Sequence, residues 1–180
     1  MKAACVREFG PPTVITIDDL PLPAMVADKP RKLTHIAAAS SPIGAVTAWQ
    51  MLFDYAHATG GQTVLIHGTA GNVGAYAVQL ARNAGLHRVA TAATADLEYV
   101  KTLGAGQVVD YRTNRFEDSV RNVDIVLDTV GGETQRRSLS ILKPGGILVS
   151  VVSKISEKPQ QELGVRAAYF YVEVTTSRLN

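Results

Sequence analysis

From Thr63 onward the chain alternates between short β-branched runs and helical stretches, and this alternation limits the fold more than any other feature. The runs are Val64-Leu65-Ile66, Arg88-Val89-Ala90-Thr91, Gln107-Val108-Val109, Asp124-Ile125-Val126-Leu127 and residues 147–152, with a sixth strand expected over residues 165–174. Helical stretches fall between them at residues 73–84, 96–103, 115–121 and 133–142, where apolar residues recur at helical spacing, as Val78, Leu80 and Ala81 do. Residues 153–162 are polar and read as a loop. Strands separated by helices pair in parallel. Right-handed crossovers then predict an α/β fold, a Rossmann-like doubly wound parallel sheet whose ligands bind beyond the carboxyl ends of the strands.

The first sixty residues follow a different pattern. Two extended runs, residues 2–7 and 13–18, flank Phe9-Gly10-Pro11-Pro12, which is turn chemistry, and predict a β-hairpin. Pro21, Pro23 and Pro30 mark an irregular linker. Thr34 can cap an alanine-rich helical start that Pro42 is expected to interrupt, with a second helix over residues 43–57. At roughly 150 residues per domain, 180 residues accommodate one full domain and an appendage. The expected division is a hairpin at 1–25, a linker at 26–33 and one α/β domain at 34–180.

Charge and composition remove several function classes. Eighteen basic and 16 acidic residues leave a net charge of +2 with no extended basic cluster, so nucleic acid is not an expected partner. The amino-terminal residues are charged before any apolar run could form a signal peptide, and the apolar stretches read as too short to cross a bilayer. The single cysteine, Cys5, cannot form an intrachain disulfide or a cysteine-rich zinc site. A cytoplasmic protein away from membranes is the expectation.

The chemistry lies after the first strand of the alternating region. Strand 64–66 runs into His67-Gly68-Thr69-Ala70-Gly71-Asn72-Val73-Gly74 and directly into a helix, the context a dinucleotide-binding loop requires. Gly71 would let backbone approach a pyrophosphate, Gly74 would let the helix pack on the strand, and free N–H groups at the helix start would bind phosphate. The spacing is G-x-x-G-x-x-G rather than G-x-G-x-x-G, so a ligand-free tight turn remains the other reading. An NAD site would place an acidic residue at the end of the second strand, and here that strand runs out in Ala92-Ala93-Thr94-Ala95. These small residues leave room for a 2′-phosphate. Asp96 comes late and could equally be a helix N-cap. Tyr111-Arg112 could offer a hydroxyl and a guanidinium to that phosphate or could be surface turn residues. Asp128-Thr129-Val130-Gly131-Gly132 and Ser150-Val151-Val152-Ser153 end the fourth and fifth strands on the same side, where the nicotinamide half would lie. Asp128 is expected to cap the next helix rather than act as an acid or base. No catalytic residue and no metal ligand set can be named.

Several separate segments together resemble one family. Met1-Lys2-Ala3, Phe9-Gly10, Asp19-Leu20-Pro21-Leu22-Pro23, Thr47-Ala48-Trp49-Gln50, the loop Gly68 to Gly74 with Ala77-Val78-Gln79-Leu80-Ala81, Leu103-Gly104-Ala105, Val109-Asp110-Tyr111-Arg112 and Leu142-Lys143-Pro144-Gly145-Gly146 follow in family order. At these residues the chain resembles the zinc-free quinone oxidoreductase branch of the medium-chain dehydrogenase/reductase superfamily. The resemblance implies NADP(H) as cofactor, lying along Thr47, Gly68, Gly71, Asn72, Val73, Gly74, Ala93, Thr94, Tyr111, Arg112, Val130, Val152 and Ser153. It implies hydride transfer to a quinone or an activated enone. Zinc-dependent relatives carry a cysteine ligand four residues before the threonine that matches Thr47, and here Ile43 stands there, which disfavours catalytic zinc.

The resemblance also implies departures. About ten residues stand between Pro23 and Thr34, where the family places most of a GroES-like substrate barrel, and the family continues beyond the position of Asn180. The expected organisation is therefore a cofactor domain carrying a hairpin remnant of the substrate domain, with oxidoreductase activity impaired. Ala167-Ala168-Tyr169-Phe170-Tyr171-Val172-Glu173-Val174 is aromatic and β-branched, and family members pair the matching strand across a homodimer. The alternatives are a non-enzymatic cofactor-binding or dimerisation module and, on the Leu-Lys-Pro-Gly-Gly turn and the shared topology, a methyltransferase.

Overall fold

β-branched and apolar residues form the strands of the alternating region, and small or amphipathic segments form the helices that cover them. The computed structural model describes residues 2–6, 15–19 and 29–175. The hairpin is present as β1 (Lys2–Val6) and β2 (Ile15–Asp19), paired antiparallel from Lys2 opposite Asp19 to Val6 opposite Ile15. Its turn, Phe9-Gly10-Pro11-Pro12, and the linker prolines Pro21 and Pro23 lie outside the described residues.

Helix α1 (His35–Trp49) starts at Thr34, whose Oγ1 accepts from the Ala37 amide at 3.1 Å, as the sequence predicts. Pro42 does not interrupt it. The helix runs through the proline and continues as a π-helical segment, Gln50–Tyr55, instead of restarting after a break. A proline removes one bond to the carbonyl four residues back. Here that carbonyl belongs to Ala38 in the outer, half-exposed part of the helix, while Ser40 and Ser41 both donate their hydroxyls to the neighbouring Ala37 carbonyl. The uninterrupted 21 residues, His35–Tyr55, are long and apolar enough to cross a membrane by length and composition, which corrects the expectation that no stretch is. Val46, Ala48, Met51 and Leu52 from this segment are instead buried, the last three in the core beneath the sheet.

The remaining elements are β3 (Thr63–Ile66), α2 (Asn72–Asn83), β4 (His87–Ala92), α3 (Leu97–Thr102), β5 (Gln107–Asp110), α4 (Phe116–Ser119), β6 (Val123–Asp128), α5 (Gly132–Ser138), β7 (Leu142–Ser150), α6 (Glu157–Leu163) and β8 (Arg166–Tyr169). Strands β3 to β8 form one six-stranded sheet in the order β5-β4-β3-β6-β7-β8, with every pairing parallel. This is the doubly wound Rossmann-like arrangement that the alternation predicts. The order reverses between β3 and β6, so the topological switch point lies directly above the carboxyl end of β3.

Both faces of the sheet are covered. Val64, Ile66, Ile125, Leu127, Ile147 and Val149 point to one core with Met51, Leu52, Val78 and Ala81. Leu65, Val126 and Leu148 alternate to the other, with Phe116, Val120, Leu139 and Ile141. Continuous apolar runs are what a strand buried on both sides requires.

Four details differ from the sequence expectation. Residues 157–163 form helix α6 rather than loop; none of its residues is buried, so no apolar period marked it. Strand β8 ends at Tyr169, because Phe170 turns into the core and stacks on Tyr55 with ring centroids 4.2 Å apart. The Lys143-Pro144-Gly145-Gly146 turn lies within β7, where the register to β6 shifts between Val123 and Ile125 and Gly145 takes φ +77°. Asp96 stands at the start of α3 but makes no side-chain capping bond.

Candidate functional site

The glycine loop leaves β3 at the switch point and is compressed on all sides. Gly68 takes φ +70°, and a Cβ there would collide with Thr129 Oγ1, the group that donates to the His67 carbonyl at 2.9 Å and ties β6 to β3. A Cβ at Gly74 would sit on the Gly68 carbonyl oxygen and lie 2.7 Å from Thr69 Cα. Gly74 therefore sets how closely α2 approaches the turn. Gly71 donates its amide to the Gly68 carbonyl at 3.0 Å and starts the helix with no side-chain cap. The first helical amides, at Asn72, Val73 and Gly74, have no carbonyl of their own helix to bond. Gly71 and Asn72 are exposed. An uncapped helix start of this kind, aligned with the dipole of a 12-residue helix, fits a phosphate group.

α1 completes the loop's support. A Cβ at Gly44 would lie 2.6 Å from Asn72 Oδ1, so the absence of a side chain there lets Asn72 rest on the helix. Thr47, one turn further, is buried, and its hydroxyl donates to the Ile43 carbonyl at 2.6 Å. Its proton is committed to its own helix.

At the ends of β6 and β7 a polar cluster fixes two exposed valines. Asp128 is fully buried and accepts four hydrogen bonds: Val130 N at 3.0 Å and Gly131 N at 2.8 Å on Oδ1, and Gln135 Nε2 at 2.9 Å and Ser150 Oγ at 2.8 Å on Oδ2. The carboxylate closes the loop ahead of α5 and ties it to β7, but it is not the helix cap expected of it: α5 starts from Gly131 with no side-chain capping bond, and the two amides Asp128 holds precede the helix. Ser150 Oγ in turn accepts from the amides of Val152 at 3.1 Å and Ser153 at 3.4 Å, and Ser153 donates its hydroxyl to Gln135. Val130 is 51% exposed and Val152 44% exposed, presenting an apolar surface on the side of the switch point.

The third part lies at the ends of β4 and β5. Ala92 and Asp110 are register partners, so the two strands end level. Thr94 donates its hydroxyl to Asp110 Oδ2 at 2.6 Å, and the Arg112 amide donates to Oδ1 at 2.9 Å. These two bonds, the Thr94 one foremost, hold the Asp110 carboxyl below its ordinary range. Ala93 is half-buried, whereas Thr94, Tyr111 and Arg112 are exposed around it.

The structure thus gathers the predicted residues into three groups along the carboxyl edge of the sheet: Gly68 to Gly74 with Thr47 behind, Ala93 and Thr94 with Tyr111 and Arg112, and Val130 with Val152 and Ser153. Asp110, Gly44 and His67 escaped sequence reasoning. His67 sits under the glycine loop, 1% exposed, with Nδ1 at 3.0 Å from Thr91 Oγ1 and Nε2 at 2.9 Å from Ser138 Oγ. Ser138 already donates to the Thr134 carbonyl, so Nε2 carries the proton and Nδ1 accepts from Thr91. Burial pushes the His67 pKa down from 6.5 to about 4, with Arg137 adding and Asp128 and Glu117 opposing. Among the described residues, no three His, Cys, Asp or Glu side chains come together as a metal site.

Comparison with known proteins gives this geometry its relatives. Over 130 residues the chain is 38% identical to a mitochondrial NAD(P)H oxidoreductase of Danio rerio, an alignment covering 66% of this chain and 33% of that protein. The quinone oxidoreductase from Coxiella burnetii superposes with a TM-score of 0.78 at 34% identity, covering 84% of this chain and 49% of that one. The CurK enoyl reductase superposes with a TM-score of 0.75 at 31% identity, covering 80% and 46%. The chain spans about half the length of these structures, and about a third of the Danio rerio protein. The zinc-binding dehydrogenase family profile matches residues 72–177, from the first residue of α2 past β8. The chain belongs to the zinc-binding dehydrogenase family, within the medium-chain dehydrogenase/reductase superfamily.

Proposed function

We propose that this chain is the cofactor-binding half of an NADP(H)-dependent oxidoreductase that reduces a quinone or an activated enone. One observation carries the reading: the uncapped start of α2, set by Gly68, Gly71 and Gly74 at the switch point of a doubly wound sheet. The amides of Asn72, Val73 and Gly74 hold the pyrophosphate, and Thr47 backs them. Ala93, Thr94, Tyr111 and Arg112 surround the adenosine ribose, with Arg112 answering a 2′-phosphate. Val130, Val152 and Ser153 line the nicotinamide end. Bound there, a nicotinamide supplies a hydride. The chain's own contribution is orientation and exclusion of water, since the buried acid and hydroxyl groups nearby are committed to internal hydrogen bonds.

The reading is zinc-independent, supported by Ile43, an exposed apolar residue where zinc-dependent relatives would carry a ligand. A homodimer through residues 167–174 belongs to it as well: β8 is an edge strand of the sheet, with Tyr171 83% exposed just past its end. The single cysteine suits a cytoplasmic setting.

The test is titration of the chain with NADPH, followed by nicotinamide fluorescence. Saturable enhancement supports the assignment, and no change at millimolar cofactor sinks it. Light scattering at micromolar concentration tests the dimer, which a monomer mass would exclude.

A further inference from the structure

The second-strand end looks neutral in sequence, but the structure delivers a carboxylate to it from the neighbouring strand. β4 ends in Ala92, with Ala93 and Thr94 following, and Asp110 stands opposite Ala92 at the end of β5. In a doubly wound sheet an acidic residue at the end of the second strand accepts from the ribose 2′-hydroxyl of NAD, whereas an arginine nearby accommodates the 2′-phosphate of NADP. We infer that Asp110, acting through Thr94, gives this end of the site a proton-accepting face that reads a ribose 2′-hydroxyl and restrains the preference for a 2′-phosphate, so that the chain takes NADH as well as NADPH. This rests on the cofactor reading above.

Counting protons makes the case. The Thr94 hydroxyl has one, and it is donated to Asp110 Oδ2 at 2.6 Å. Only lone pairs of Thr94 then remain for a ligand, and Thr94 is exposed. A ribose 2′-hydroxyl can donate to them. A 2′-phosphate at neutral pH has no proton to spare and would bring acceptor against acceptor.

Charge acts in the same direction. Asp110 is 9% exposed, with one oxygen bonded by Thr94 and the other by the Arg112 amide. It is therefore a positioning residue that fixes Thr94 and adds a negative field, rather than a direct ligand. The Arg112 amide, not its guanidinium, holds Asp110 Oδ1, so the carboxylate charge stays beside the place a 2′-phosphate would take. Tyr111 and Arg112 still leave room for NADPH. Selectivity becomes a balance between Arg112 and Asp110, not a property of either.

The experiment compares NADH, NADPH, 5′-AMP and 2′,5′-ADP binding to the wild-type chain, Asp110→Asn and Thr94→Val, by calorimetry with melting temperatures in parallel. The wild type binds both dinucleotides. Removing one negative charge near a phosphate lowers the Kd of NADPH relative to NADH by roughly fivefold or more in Asp110→Asn, with the same shift between the two fragments. Thr94→Val, at an exposed position, weakens NADH and 5′-AMP more than their phosphorylated partners, and it carries the test if Asp110→Asn fails to fold. Both variants weakening all four ligands alike, or leaving the ratios unmoved, overturns the inference while the cofactor reading stands. Failure of all four to bind the wild type overturns both.

Discussion

Lowering the pH should destabilise this protein before most of its carboxylates titrate, because His67 is buried as a neutral base. Its pKa falls from 6.5 to about 4 on folding, so between those values the unfolded chain binds more protons than the folded one, and stability falls as the pH falls. The stabilisation is fully present above pH 6.5. His67 is 1% exposed, so solvent screening does not reduce the effect. Proton linkage gives a loss of about 1.4 kcal/mol by pH 5.5 and about 2.5 kcal/mol by pH 4.5, a large share of the ~5–15 kcal/mol typical of a domain. Asp110, Glu117 and Asp124 have lowered pKa values, so their contribution is lost at lower pH still. Urea unfolding at pH 7.5, 6.5, 5.5 and 4.5, followed by far-UV circular dichroism, measures the slope. The comparison is His67→Gln, which removes the titration and keeps a polar group beside Ser138. The other three histidines, His35, His57 and His87, are exposed and unchanged in the variant. The variant should be less stable at pH 7.5 but lose about 2.5 kcal/mol less on acidification to pH 4.5. Parallel pH profiles for the two proteins would refute the reasoning.

Further outcomes follow from the contacts described. Gly74→Ala drives a methyl group into the Gly68 carbonyl and should cost about 1–3 kcal/mol in chemical denaturation while weakening cofactor binding. Asp128→Ala leaves buried donors from Gln135, Ser150 and two amides without an acceptor, and should cost roughly 3 kcal/mol or more, read as a lowered melting temperature. Lys101→Ala removes an exposed pair with Glu98, 2.6 Å apart, and should change stability by less than ~0.5 kcal/mol.

What the sequence made legible is what short-range pattern encodes. β-branched runs, helical periods and three glycines in a strand–turn–helix context specify β3, the loop and α2, because each glycine's reason is met within a few residues or at the next strand end. The misses have physical causes. Pro42 sits where losing one helical bond is tolerable, and its partner carbonyl is on the half-exposed side. Helix α6 buries no residue, so it leaves no apolar period to find. β8 reads as longer than it is because Phe170 fits a strand pattern equally well, yet it turns inward onto Tyr55.

The larger gap is in the site, where polar side chains are assigned by partners remote in sequence. Asp128 reads as a helix cap and is a strut, because its donors come from Gln135 and Ser150 as well as its own loop. His67 looks like a loop residue and is a buried bridge between Thr91 and Ser138. Asp110 looks like the end of a strand and is the carboxylate beside Thr94, 16 residues back. In each case the parallel sheet brings strand ends together at one level, and a residue's chemistry is decided by its neighbour across the sheet. With these groups so committed, the surface left for a ligand is backbone amides at the glycine loop, the exposed Thr94, Tyr111 and Arg112 beside it, and two valines at the other end. Under the proposed function, that arrangement suits a cofactor held by its phosphates at one end with its nicotinamide ring against the apolar wall at the other.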